Sequence, residues 1–462
     1  MSWHGSMPWT PATPSTSTTS TRSRSASSST RPETYQHPGR AASVRRPAQV
    51  CFIDAVSVTQ SSGTDIMTTL ATSGMTRTRT IIFAIAGGLA VGNLYWAQPL
   101  IEEIARSLDV SSAVAASLVT VTQIGYALGI FLIVPLGDVL NRKRMIPLIL
   151  GLSALALLGA AVAPTFSLLL AALGGVGLTT VSAQLLTPLA SELAAPDQRG
   201  RVLGTIASGA LIGVLLSRTI SGAVAEFIGW RAIYVFAAIL TVALAVVLSF
   251  LIPRLDKRPA TNYFRLLGSV FTTVAQHRAA APTLLISAAV FSVFSLFWTS
   301  LTYLLSASPF SLSVGQIGLF GLAGLVGAVA ARRAGMFHDR GWSVPSSGIA
   351  LSLLAASLVG ASLAQSSVIG LIVVVIMLDL AAQATLVLGQ TRLLSLPGQN
   401  RSRLNTAFVV SNFLGGAIGS ALAGPLWAAG GWTAVTGTAL AIIIVALLVW
   451  VLTRRGALTD QN

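Results

Sequence analysis

Two full charges stand deep inside long apolar runs of this sequence: Asp379 in LIVVVIMLDLAAQATLVL and Arg218 in ASGALIGVLLSRTISGAVAEF. A carboxylate in such a place costs about 3 kcal/mol to insert into hydrocarbon, so it lines a cavity or has a partner. Asp379, with Gln383 one turn further on, therefore reads in one of two ways. It is a proton-carrying site, or it is an acid held neutral by a neighbouring helix for packing. Arg218 reads as an anion site or as the partner of a carboxylate, against snorkelling toward the nearer interface. Glu226 marks that end and lies about 12 Å away at 1.5 Å per helical residue, which is a long reach for snorkelling. The four histidines, His4, His37, His277 and His338, all fall outside the apolar runs. Proton chemistry inside them is left to carboxylates.

A second tier of polar side chains shares these runs. Asn93, Trp96, Gln123, Tyr126 and Gln184 have groups that hydrogen-bond or stack on a bound molecule. Their bland alternative is interhelical hydrogen bonding, worth about 1 kcal/mol. Phe291, Phe294, Phe297, Trp298 and Tyr303 concentrate in one run, as cavity lining or as packing. Cys51 is the single cysteine, so there is no disulfide framework and no cysteine metal site. Neither a phosphate-cradling loop nor a nucleophile constellation appears, and no cofactor, metal or enzymatic activity is expected.

The elements that must position these groups are membrane spans. The chain has 462 residues, 53% hydrophobic and 9% charged, where a soluble domain carries about 25% charged. Twelve apolar runs follow one another at 80–101, 113–136, 145–163, 166–189, 202–226, 231–252, 282–305, 314–331, 343–364, 367–390, 405–428 and 433–453. Each is long enough to cross about 30 Å of hydrocarbon as a helix, which alone satisfies its own backbone there. The fold class expected is all-α with twelve transmembrane helices in two six-helix halves. Residues 77–252 form the first half and 282–455 the second; 253–281 is a cytoplasmic central loop and 456–462 a cytoplasmic tail. YFRLLGSVFTTVAQHR within the central loop has the pattern of an amphipathic surface helix.

Charge placement sets the orientation. With the N-terminus inside, only Arg106 and Arg231 fall on outer segments, while the other basic residues flanking the runs fall on inner ones. That asymmetry predicts cytoplasmic termini and an inner (plasma) membrane location. It also gives the net charge of +15 a topological origin, without a nucleic-acid partner. Residues 1–76, rich in Ser, Thr, Pro and Arg, are expected to be a disordered tail. The tail resembles a transit peptide in composition. The preferred reading is a start placed too early, since Met67 and Met75 both sit just before the first run.

Two inner loops carry an acid followed by bases: VPLGDVLNRKR, with Asp138, Arg142 and Lys143, and GMFHDRG, with Asp339 and Arg340. The chain resembles the major facilitator superfamily, whose loop between the second and third helices runs Gly-x-x-x-Asp-Arg-x-Gly-Arg-Lys. Asp138, Arg142 and Lys143 match that motif in the first copy, and Gly335, Asp339 and Arg340 match it in the second. The resemblance implies a cytoplasmic gate in which the Asp is set against a helix N-terminus and nearby Arg residues. The fifth run is similar to the antiporter motif Gly-x8-Gly-x3-Gly-Pro-x2-Gly-Gly. Gly204, Gly213 and Gly222 fit it, while Ser217, Arg218 and Ser221 replace Gly, Pro and Gly. The family's buried Arg of the fourth helix falls at Ala171. NLYWAQPL, GLFGLAGLVGA and NRSRLNTAF look like a bacterial branch near the drug–proton antiporters.

What this implies is a monomeric secondary transporter in the lipid bilayer, working by alternating access. It would move a small, partly apolar molecule out of the cell in exchange for protons. Uptake or facilitated diffusion of a metabolite is the alternative, and a non-transporting scaffold or sensor is the alternative from another class. Asp379 is the expected proton site. Asn93, Trp96, Gln123, Tyr126, Gln184, Arg218, Trp298 and Gln383 are the expected cavity.

Overall fold

A computed structural model describes residues 74–253, 262–324, 340–396 and 401–458. These residues form an all-helical bundle. Its spans are α1 (Arg77–Gly92), α2 (Ser112–Asp138), α3 (Arg142–Val162), α4 (Phe166–Leu193), α5 (Arg199–Ile228) and α6 (Trp230–Leu251), then α7 (Ala280–Ser306) and α8, described over Val314–Ala323. After these come α9 (Ser343–Leu363), α10 (Val368–Ser395) and the long helix Arg401–Thr453, whose two arms, α11 and α12, meet at a bend. Gly431 makes that bend with φ of 57°, a backbone conformation that side chains with a Cβ rarely adopt. Among the described residues these helices fall on the twelve apolar runs, α8 over only the first ten residues of its run. The expected amphipathic helix also forms, over Tyr263–Gln276. The Tyr263 hydroxyl donates to Leu132 O at 2.7 Å, and Phe271 meets Phe131 edge-on at 5.7 Å.

Three glycine seams let helices of one half approach backbone to backbone. Side chains at Gly209 or Gly213 of α5 would collide with the α1 backbone at Ala84 and Gly88. Gly125 and Gly129 of α2 meet α4 in the same way, and Gly415 and Gly419 of α11 meet Ala288 and Ser292 of α7. Without bulk at these positions van der Waals contact can drive association in a medium as apolar as the helices themselves. A different seam joins the halves: Gly222 of α5 lies against Gly318 of α8, and Thr219 donates to Gly318 O at 3.0 Å. Thr120 and Ser420 are 2.9 Å apart where α2 meets α11.

Two departures from unbroken helices matter for function. The first run was expected to be helical over 80–101, but α1 ends at Gly92, and Asn93–Ala97 is a turn leading to a 3-10 helix at Gln98–Leu100. Pro99 removes a donor there. Likewise α4 breaks at Thr180 and Val181. Helical hydrogen bonding lost in hydrocarbon must be replaced inside the protein, and the two breaks are tied together. Thr180 Oγ1 donates to Ala90 O at 2.8 Å and accepts from Asn93 Nδ2 at 3.3 Å. The tail was expected to end at residue 76, but Gly74–Thr76 already belong to the fold: Met75 is buried and its N–H reaches Leu193 O at 3.3 Å, while Thr76 caps α1. Residues 1–73, Asp339 and the rest of the second acid–base loop up to that residue lie outside the described residues.

Candidate functional site

The break after α1 turns Gln98 inward, and Gln98 meets Arg218. Arg218 Nε donates to Gln98 Oε1 at 2.8 Å. The guanidinium lies 4.0 Å from the centre of the Trp298 ring, 5.1 Å from Tyr95 and 5.4 Å from Phe294. Trp298 in turn donates its indole N–H to Asp379 Oδ1 at 3.0 Å. One indole thus has a cation on its face and a carboxylate at its edge. Arg218 and Asp379 are each 2% exposed, and no ion pair within 4.0 Å joins them among the described residues. The cluster draws on α5 and the α1 extension from one half, and on α7 and α10 from the other. Gly324, just after α8, is part of the fit, since a side chain there would strike Asp379 Oδ2.

Around this core the remaining expected cavity residues fall into four groups. Asn93 and Trp96 are buried and bonded to one another, Trp96 Nε1 donating to Asn93 Oδ1 at 2.8 Å. Gln123 crosses between the halves, its Nε2 donating to Ser295 Oγ at 3.0 Å. Tyr126 packs its ring 4.4 Å from that of Phe413, and its hydroxyl is 3.5 Å from Gln184 Nε2. Gln383 is half-buried, and no hydrogen bond links it to the cluster among the described residues. Some aromatic residues of α7 serve packing: Phe297 lies 5.5 Å from Trp432, and Tyr303 lies 5.6 Å from Trp427.

At the end of the bundle that holds the first acid–base loop, Arg142 is the organiser. Its Nη2 bonds Asp138 at 2.8 Å, its Nη1 bonds Glu192 of α4 at 3.1 Å, and its Nε donates to Gly137 O at 2.8 Å. These residues border a cavity of about 350 Å³ between α2, α4, the Tyr263–Gln276 helix and α11, with Gln184, Ser402, Arg403 and Thr406 on its walls. Lys143 is half-buried and Arg340 is exposed. At the opposite end, Glu226 Oε2 accepts the Gly315 N–H of α8 at 2.9 Å, where a carboxylate complements the helix dipole. Tyr303 donates to Ser112 O at 2.9 Å near the same end.

Some contributors escape a reading of apolar runs. Gln98 was not among the expected cavity residues; Pro99 beside it is the signal that the helix is interrupted there. Arg392 was assigned to an inner loop, but α10 runs on to Ser395 and buries it. It donates to Ser343 O at 3.2 Å and to Ser343 Oγ and Ser347 Oγ at 3.0 Å.

The profile described as Major Facilitator Superfamily matches residues 83–395. An uncharacterized transporter of Escherichia coli, YgaY, is 40% identical over 370 residues, covering 80% of this chain and 94% of the relative. The probable transporter SCO4007 of Streptomyces coelicolor is 31% identical over 365 residues, covering 79% and 85%. Among solved structures, the nucleoside transporter NupG superposes with a TM-score of 0.67 at 14% identity, covering 81% of this chain and 98% of that one. A bacterial homologue of the human lysosomal transporter Spinster, inward-facing and occupied, gives 0.65 at 14% identity, covering 81% and 96%.

Proposed function

The chain belongs to the Major Facilitator Superfamily, and from that premise we propose that it exports a small, partly apolar molecule in exchange for protons, with Asp379 as the proton carrier. It is a multi-pass membrane transporter of small molecules and not an enzyme. The observation that carries the finer reading is the place of Asp379. It is a carboxylate 2% exposed, bonded to Trp298, in a cluster assembled from both halves. Rocking one half against the other would part Arg218 from Trp298 and open Asp379 to each side in turn. A coupling proton needs such an alternately exposed site. The breaks at Asn93–Ala97 and Thr180 add to the case, because interrupted helices at mid-membrane commonly form transporter binding sites.

In this reading Asn93, Trp96, Gln123, Tyr126, Gln184, Trp298 and Gln383 line the path. The loops with Asp138, Arg142, Lys143, Asp339 and Arg340 gate its cytoplasmic end, and both termini are cytoplasmic in the inner membrane. The test is proton movement in proteoliposomes loaded with a candidate compound. Compound leaving down its gradient should draw protons in the opposite direction, reported by an internal pH dye. Protons leaving together with the compound would refute exchange. That second outcome is the signature of the co-transport reading, which Arg218 favours: an anion seated beside Asp379 attracts a proton to it, and the two would travel together.

A further inference from the structure

We infer that the substrate presents a carboxylate to the terminal nitrogens of Arg218. The inference rests on the cluster being the transport site, but it holds for either direction of coupling.

Arg218 is 2% exposed, yet neither Nη1 nor Nη2 has a hydrogen-bond partner among the described residues, and the same is true of Gln98 Nε2. Nε is spent on Gln98, and one face of the guanidinium is spent on Trp298. The remaining edge, two parallel N–H groups in a fixed plane, has the shape that holds a carboxylate through two bonds. Donors buried without an acceptor are costly, more so when charged. Asp379 is near enough to offset part of the charge, but it lies across the indole and its Oδ1 takes the Trp298 N–H. It therefore leaves the Nη edge unbonded. The rings of Tyr95, Phe294 and Trp298 lie against the guanidinium and suit an apolar or aromatic body attached to the acid. An exported substrate would also carry an amine, which takes the place of the proton at Asp379; a co-transported one would be a plain acid. Both share the carboxylate.

The experiment uses the full-length protein in lipid nanodiscs and four matched probes: 3-phenylpropanoate, its amide, 2-phenylethylamine and L-phenylalanine. Binding is read by tryptophan fluorescence and by thermal shift. At least one of the two carboxylates should bind, and the amide and amine should bind roughly a hundredfold more weakly, the loss expected when a charge-assisted bonded pair is removed. Arg218→Gln should abolish the preference for acid over amide, and Arg218→Lys should keep about a tenth of it, since a lysine gives the charge without the fork. If Arg218→Gln fails to fold, Arg218→Lys carries the test, and an acid-over-amide preference undiminished in it overturns the inference. Equal behaviour of acids and amide in the wild type, including no response to any of them, overturns the inference. So does an acid preference that survives in Arg218→Gln, or an experimental structure with Arg218 directly paired to Asp379. Acid-selective binding without proton-driven transport would sink the coupling reading and leave this one standing.

Discussion

Replacing Trp298 with phenylalanine removes one hydrogen bond of the central cluster, and a double-mutant cycle isolates its worth. A phenyl ring replaces the indole, so an aromatic face remains opposite Arg218 and Phe294, although phenylalanine is the weaker cation–π partner and its smaller ring leaves a void at this buried position. What is lost is the indole N–H held 3.0 Å from Asp379 Oδ1. A bond to a charged acceptor contributes about 1.5–3 kcal/mol and a neutral one about 0.5–1.5 kcal/mol. Beyond the cost of the void, loss of this bond in Trp298→Phe should therefore destabilise the protein by about 2 kcal/mol when Asp379 is ionised. In an Asp379→Asn background the amide oxygen still accepts, so the void costs the same and the bond contributes only about 1 kcal/mol. Reversible unfolding in mild detergent measures both, and the difference between them reports the charge on Asp379 through a double-mutant cycle. An equal penalty in the two backgrounds would show that Trp298 does not sense that charge. A penalty near zero in the wild type would remove Trp298 as a link between Arg218 and Asp379.

Other expectations follow from the two ends of the bundle. Glu226→Gln weakens the hold on the N-terminus of α8 by about 0.3–1 kcal/mol and should raise thiol labelling of Ser306→Cys, which borders the cavity beside Glu226. Unchanged labelling would show that this contact does not keep the end closed. Asp138→Asn removes a half-exposed partner of Arg142, so it should cost no more than about 1 kcal/mol of stability while slowing the transport cycle. Equal defects in substrate binding and in cycling would refute the gate role.

The fold was legible because hydrocarbon allows few solutions. A backbone that must bond to itself makes each long apolar run a helix, and glycines four apart, Gly209/Gly213 and Gly415/Gly419, lie at close approaches in the structure. Asp379 and Arg218 were legible for the same reason, since full charges stand out where there are so few. What the runs concealed is where helices stop. A run of apolar residues looks alike whether its backbone is wound or broken, so the turn at Asn93–Ala97 and the break at Thr180 were read as continuous. The contact that ties them together, Asn93 to Thr180, is made between residues far apart in the chain. The intermediary between the two charges was equally hidden. Trp298 was one of several aromatic residues in α7, and nothing in its spacing says that its N–H reaches α10 while its face meets α5. Arg392 was misplaced because the apolar run ends before its helix does.

The central claim, that Asp379 carries the coupling proton, is tested most directly in proteoliposomes with a panel of small compounds and an imposed proton gradient. Wild type should accumulate at least one compound against its own gradient. Asp379→Asn should lose that accumulation and yet exchange the same compound between equal pools, because exchange needs no net proton movement. A mutant that still concentrates the compound when only a proton gradient is supplied would contradict the account.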